Sequence, residues 1–397
     1  MASAAAKRNV LILLIAQALA NTTVSIMITT APLVGAMLAE DKSLATLPHA
    51  FQWLAVMAVA TPASFLMRNI GRRQGFMLGG LFGITGALTG AAAIWMHAFW
   101  LYVAATVQMG VFSSFAMFYR FAAAEAAEDP QFRVRAISYV IGGGILAAII
   151  GPELAKSTRE MLPLYVFAGT YLVLAVVPLL GILVVSRVNL PPLTAAERAD
   201  PGRPLAEIAR QPSFIVAVLG GMIAWSAMVF LMTSTPLSMQ ACGFDFDTTA
   251  SVIQWHIVAM YAPSFVTGWM INRFGLLNVM SLGVVLALAA VAAGLGGLAE
   301  INFLLTNICI GAGWSLLFVG ATDLLTRTYR PSERAKVQGF NDMMIFGTVA
   351  ASTLASGYLT QTVGWNTVLY ADIPMILIAF AAVVWLRLRR DPAVVRA

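Results

Sequence analysis

Two pairs of side chains in the second half of the chain have the types and spacing of a soft-metal site. Met228 and Met232 lie four residues apart, and so do His256 and Met260. On a helix that spacing puts both members of a pair on one face. Three thioethers and one imidazole make a neutral, polarisable donor set. It suits Cu(I), whereas Mg, Ca and Mn ask for oxygen and Zn usually takes thiolate, imidazole or carboxylate. The methionines alone carry little weight, because thioethers commonly fill gaps in apolar cores. His256 carries more: it is the one histidine inside an apolar segment, where a polar ring needs a cavity or a partner. From the residues alone, a metal site and a Met-rich core with a hydrogen-bonded histidine both stand. The only cysteines, Cys242 and Cys309, could relay or help reduce copper, or simply pack as small hydrophobes. His49 and His97 are expected at the outer surface.

The elements that must hold these groups are apolar blocks long enough to cross a bilayer, about 20 residues each. The chain is 60% hydrophobic and 11% charged, against roughly 25% charge in soluble domains. Outer-membrane strands would alternate apolar and polar residues, and these blocks do not. Twelve spans are expected, at 10–36, 50–67, 76–95, 98–121, 136–155, 163–186, 213–239, 248–271, 276–297, 301–326, 339–361 and 365–386. The fold class is therefore an all-α polytopic membrane protein. Lys7 and Arg8 precede an apolar stretch running from Val10 to about Met37. That is too long for a signal-peptide core, so the first helix is expected to be retained.

With the N-terminus placed in the cytoplasm, all but Lys42, Lys156 and Arg159 of the 24 Lys and Arg fall on the inner side. This asymmetry puts both termini inside. It also accounts for the net charge of +6 without nucleic acid. The turn between spans seven and eight falls near Gly243–Phe244, which sets Met232 opposite His256 and Met228 opposite Met260 at about mid-membrane.

Residues 187–212 form the one long polar connector, with Pro191-Pro192, Glu197-Arg198 and Asp200-Pro201-Gly202. A short helix is expected around Leu205–Arg210. The connector separates an N-terminal half (1–186) from a C-terminal half (213–397). The halves repeat weakly. Gln52-Trp53 parallels Gln254-Trp255, Arg68-Asn69-Ile70-Gly71 parallels Asn272-Arg273-Phe274-Gly275, and Pro130-x-x-Arg133-x-Arg135 parallels Pro331-x-x-Arg334-x-Lys336. The counterparts of Met228, Met232 and His256 are Val24, Ile28 and Leu54, so the donor set is peculiar to one half.

The loop after span two, Arg68-Asn69-Ile70-Gly71-Arg72-Arg73, resembles the signature loop of the major facilitator superfamily. Gly71, Arg72 and Arg73 match it, while the family's acidic residue falls on Arg68. The resemblance implies two pseudo-symmetric six-helix halves around a central cavity, and alternating access. In the family the acid helps latch the cytoplasmic gate. Here Glu125, Glu128 or Asp129 could supply it, and Arg68, Gly71, Arg72 and Arg73 are the gating candidates.

Within that superfamily, Met228-x3-Met232 followed by His256-x3-Met260 resembles the CcoA-type copper importers. That resemblance implies uptake of copper as transported substrate, delivery to a cytoplasmic copper carrier, and supply of cbb3-type cytochrome c oxidase assembly. It implies no resident cofactor.

Other features point less sharply. Gly142-Gly143-Gly144 and Gly151-Pro152 in span five allow close packing and a kink. Asp323, Asp342 and Asp372 are the acids lying deep within spans, and they form no evident carboxylate relay. Trp225, Trp255, Tyr261 and Trp314 would make a recognition surface if the substrate were instead a flavin-like compound or a drug. A non-transporting copper-binding assembly factor is a further reading. The chain carries no catalytic triad, nucleotide loop or soluble domain, so an enzyme is not expected.

Overall fold

The computed structural model describes residues 3–41, 44, 47–127, 129–190 and 200–389, and is helical throughout its long elements. Among the described residues, eleven helical stretches are long and apolar enough to cross a membrane. The expected twelfth, span eight, is also present but broken into Phe246–Tyr261 and Ser264–Phe274. Pro263 explains the break: it has no N–H to give and its ring crowds the preceding turn. Span four likewise divides into Phe99–Ala116 and Tyr119–Ala126, and span five into Pro130–Gly142 and Ile145–Thr158. The expected kink at Gly151-Pro152 is not where span five breaks; the break falls at Gly143–Gly144.

Lys42, Glu128, residues 191–199 (with Pro191, Pro192, Glu197 and Arg198), Arg390 and Arg396 lie outside the described residues. The later part of the connector forms a single turn at Leu205–Ile208. It is tied to the start of span eleven by Arg203, which pairs with Glu333 at 2.7 Å.

Closed hydrogen-bonding within helices is what makes such a chain viable in lipid. Two loop acids start helices that matter below. Asp129 accepts from the Gln131 N–H at 2.9 Å, and Asp245 accepts from the Thr248 N–H at 2.8 Å. Hydrogen bonding from the Thr248 side chain, and then from this N–H, holds the exposed Asp245 carboxyl below the usual carboxylate range.

The packing repeats between the halves. Spans three and four, three and six, two and four, one and five, and one and six lie against each other. So do nine and ten, nine and twelve, eight and ten, seven and eleven, and seven and twelve. Gly71 and Gly275 occupy equivalent joints, between spans two and three and between spans eight and nine. Their φ,ψ values are 91°, 155° and 88°, 147°. That corner of backbone space is close to glycine-only.

The halves meet along two seams, span two on span eleven and span five on span eight. In the first, Gly339 lies on Thr61 and Ser64, and Gly347 on Met57; in the second, Gly142 lies on Phe265, Gly144 on Tyr261, and Gly268 on Arg135 and Ser138. The close-packing role expected for the span-five glycines is thus observed: Gly143 abuts the Leu14 carbonyl and Gly151 abuts Ser25. Among the described residues, the hydrogen bonds and ion pairs that cross between halves lie toward the end of the bundle that carries the termini. The bundle is closed at that end.

Candidate functional site

His256 is fully buried. Its Nδ1 lies 2.8 Å from the backbone carbonyl of Asn307 in span ten. A carbonyl only accepts, so Nδ1 carries the proton and Nε2 keeps its lone pair. Nε2 has no hydrogen-bond partner among the described residues. The Asn307 side chain donates to Thr235 Oγ1 of span seven and to the Phe303 carbonyl, each at 2.9 Å, and its Oδ1 is unpartnered. Span ten thereby ties spans seven and eight together.

This arrangement corrects the picture of two helices facing one another. Spans seven and eight touch little, and span ten packs extensively on both. Met228 and Met260 are buried and Met232 is half-buried. Cys242 is exposed at the C-cap of span seven, and Cys309 is half-buried in span ten. Among the described residues no group of three or more His, Cys, Asp or Glu side chains is placed to hold a metal. A soft-metal reading therefore rests on His256 Nε2 and the thioethers alone.

Below this level lies an aromatic cluster that bridges the halves. Trp53 of span two stacks on Phe346 of span eleven, with ring centroids 5.8 Å apart at 13°. Trp225 meets Trp53 at 6.4 Å, Phe346 at 5.5 Å, Trp314 at 5.3 Å and Phe318 at 5.8 Å. Tyr261 lies edge-on to Trp314 at 5.7 Å. The Trp225 and Trp314 indole N–H groups and Gln52 Oε1 are buried without a partner. Asn21, accepting from Gln17 at 2.9 Å, lies against Gly144 beside Tyr261.

Two expectations change here, for Trp255 and His49, and one residue is added. Trp255 is 53% exposed and lies outside the cluster. Trp53 belongs to it, and its place in the Gln-Trp repeat was the available signal. His49 is half-buried instead of lying on the surface, because its Nε2 accepts from Trp53 Nε1 at 3.1 Å. His97 is exposed, at a turn with φ 51°.

The cluster continues into the closed end. The Arg120 guanidinium lies over Phe121 at 4.3 Å and Phe318 at 4.9 Å, and pairs with Asp342 of the other half. Asn341 donates to the same carboxylate at 2.9 Å. Glu125 supplies the acid that the signature loop lacks. It pairs with Arg72 at 2.6 Å and with Arg334 of the other half at 3.1 Å. Arg72 also reaches Gln338, which donates to Tyr329 at 2.6 Å. Gly71 forms the turn that delivers Arg72, and Arg73 is exposed. Asp323 pairs with Arg327 at 2.6 Å. Asp372 is fully buried, and neither of its oxygens has a partner among the described residues.

A family model described as Major Facilitator Superfamily matches residues 13–263 and 232–397. The chain belongs to the major facilitator superfamily. Like other members it is a multi-pass membrane transporter and not an enzyme. A riboflavin transporter of Brucella anthropi is 40% identical over 395 residues, covering 99% of both chains. An uncharacterised superfamily transporter of Bacillus subtilis is 26% identical, covering 96% of this chain and 92% of its own. Among solved structures, a variant of the E. coli fucose:proton symporter superposes with a TM-score of 0.74 at 17% identity, covering 96% of this chain and 97% of that one. A bacterial homologue of the iron transporter ferroportin gives 0.73 at 14%, covering 95% and 98%. These superpositions bear out the facilitator fold expected from the signature loop and the span count.

Proposed function

We propose that this facilitator takes up a flavin-like heteroaromatic solute by alternating access across a bacterial inner membrane, with both termini cytoplasmic. The observation that carries the reading is the 40% identity, over the full length of both chains, to a protein named as a riboflavin transporter. The cluster around Trp53, Trp225, Trp314 and Phe346 supports it. Flat π-faces favour a flat aromatic ring system, with stacked pairs contributing about 0.5–1.5 kcal/mol each beyond area burial. Trp225 and Trp314 offer unpaired N–H donors, while Gln52 Oε1 and His256 Nε2 offer unpaired acceptors. That mixture matches a ring bearing both carbonyls and an N–H, and leaving such groups unpaired is costly.

In this mechanism the solute enters from the end opposite the termini and settles on the aromatic floor. Displacement of Trp53 from Phe346 and of Trp225 from Phe318 loosens the packing around Arg120. The Arg120–Asp342 and Glu125–Arg334 pairs then part, and the closed end opens. No charged ligand set is needed for an uncharged ring system.

Copper uptake is the second reading, favoured by one observation: a buried imidazole whose Nε2 is unpaired, in a span that also buries Met260. The relatives named above lend it no support. Uptake into proteoliposomes separates the two. Riboflavin should accumulate with wild-type protein, with the apparent KM raised about two- to tenfold by Trp53→Ala, from the value of one stacked pair. Met228→Leu and Met232→Leu should leave riboflavin uptake within about twofold of wild type, since the loss of a thioether to a similar-sized apolar side chain is small. Absence of riboflavin uptake, with Cu(I) uptake abolished by those Met variants and by His256→Ala, would reverse the assignment.

A further inference from the structure

We propose that the groove between span one and the first part of span five, at the end bearing the termini, is a binding site for an anionic phospholipid. The groove has a volume of about 610 Å³ and is lined by Lys7, Val10, Leu11, Leu14, Asp129, Gln131, Phe132, Arg135 and Tyr139. Lys7, Val10, Leu11 and Leu14 form one face of span one. At 1.5 Å per residue, that face reaches about 10 Å inward from Lys7. This is the distance from a headgroup to the upper part of an acyl chain.

The walls divide by polarity in the same way. Lys7 and Arg135 are the cations, and neither makes an ion pair among the described residues. Arg135 Nε is buried without a partner. The one acid, Asp129, is occupied: it caps the helix Pro130–Gly142 through the Gln131 N–H, where a carboxylate is favoured by the helix dipole. Val10, Leu11, Leu14 and Phe132 supply an apolar strip.

That strip runs out onto the lipid-facing surface. Spans five and six barely touch, so span one shows through between them, with Leu11 57% and Ile15 40% exposed. Basic pockets between membrane helices on this side select acidic headgroups. An amphiphile with one anionic head and an acyl chain fits both the charge and the apolar continuation. Its place is also mechanically sensitive, because the adjoining face of Pro130–Gly142 carries a seam with span eight, where Gly268 lies on Arg135 and Ser138 bonds the Ser264 carbonyl and the Gly268 N–H. A lipid seated in the groove braces that helix in the closed arrangement.

Native mass spectrometry of the full-length protein, with phosphatidylglycerol and phosphatidylcholine of equal chain length, tests the site independently of transport. Wild type should retain phosphatidylglycerol preferentially. Lys7→Gln with Arg135→Gln should reduce that preference between about five- and thirtyfold, the upper figure being roughly 1 kcal/mol per basic residue converted. Arg187→Gln with Arg273→Gln, both exposed at the same end, should leave it unchanged. Leu11→Trp, which fills the apolar strip, should also lower retention while the protein stays monodisperse. Equal retention of the two lipids by wild type would overturn the proposal. So would equal loss in the Arg187 and Arg273 control, or displacement of the lipid by glycerol phosphate alone.

Discussion

At the scale of single residues, Asn307 changes how the chemistry of His256 is understood. A thioether-imidazole set was legible from types and spacing, but the partner of the imidazole was not. Span ten is remote in sequence, and its insertion between spans seven and eight is a tertiary fact. An asparagine within an apolar segment was the only available hint, since polar groups at that depth are retained for a reason. The side-chain tie is separable from the His256 contact, which uses the backbone carbonyl. A double-mutant cycle between Thr235→Val and Asn307→Leu, read by chemical unfolding in detergent, should give a coupling of about 0.6 kcal/mol, and no more than ~1.7 kcal/mol, the range for hydrogen bonds between membrane helices. His256→Ala should not alter that coupling. A null coupling would mean the amide does not join the spans.

At the scale of elements, the glycine joints give the sharpest test of the internal repeat. A Cβ added at Gly71 or at Gly275 would meet nothing within 4 Å, so the cost of alanine is purely conformational. Each substitution should destabilise by about 1–3 kcal/mol, and the two should agree closely. Thermal unfolding of the purified variants measures this; unequal effects would show that the joints are not equivalent. These joints, and the spans around them, were readable because apolar block length and the Gly71 and Gly275 spacing are local properties. The breaks at Phe118 and Gly143 were not, because continuous hydropathy hides an interruption of the hydrogen-bond ladder. The acid at Glu125 was narrowed to three candidates by position, and its choice among them depended on where span eleven brings Arg334.

At the scale of the whole molecule, the two seams predict how transport can be stopped. In a background of Cys242→Ser and Cys309→Ser, Thr61→Cys with Gly339→Cys places two thiols across the seam between spans two and eleven. A Cβ at Gly339 would touch Thr61 Cα at 2.9 Å, within the reach of a disulfide. Oxidation should abolish uptake, and reduction should restore it. Uptake that persists with the bond formed would show that this seam does not open. Glu125→Gln, which removes the ion-pair partner of both Arg72 and Arg334, should shift the population toward opening at that end. Raised alkylation of a cysteine placed at Ser138 would report it. Breaking one side of a buried ion pair typically costs 3–5 kcal/mol, ample to move a two-state equilibrium.

The amide of Asn307 sets a limit on what the C-terminal half can do internally. With spans seven, eight and ten pinned at one residue, they behave as a tripod with a common foot. A cargo held there cannot be passed from Met228 and Met232 to His256 and Met260 by sliding one helix past another, because the slide would first have to pull out the pin. Spin labels on these three spans should therefore keep fixed mutual distances through the cycle, while their distances to span one lengthen and shorten.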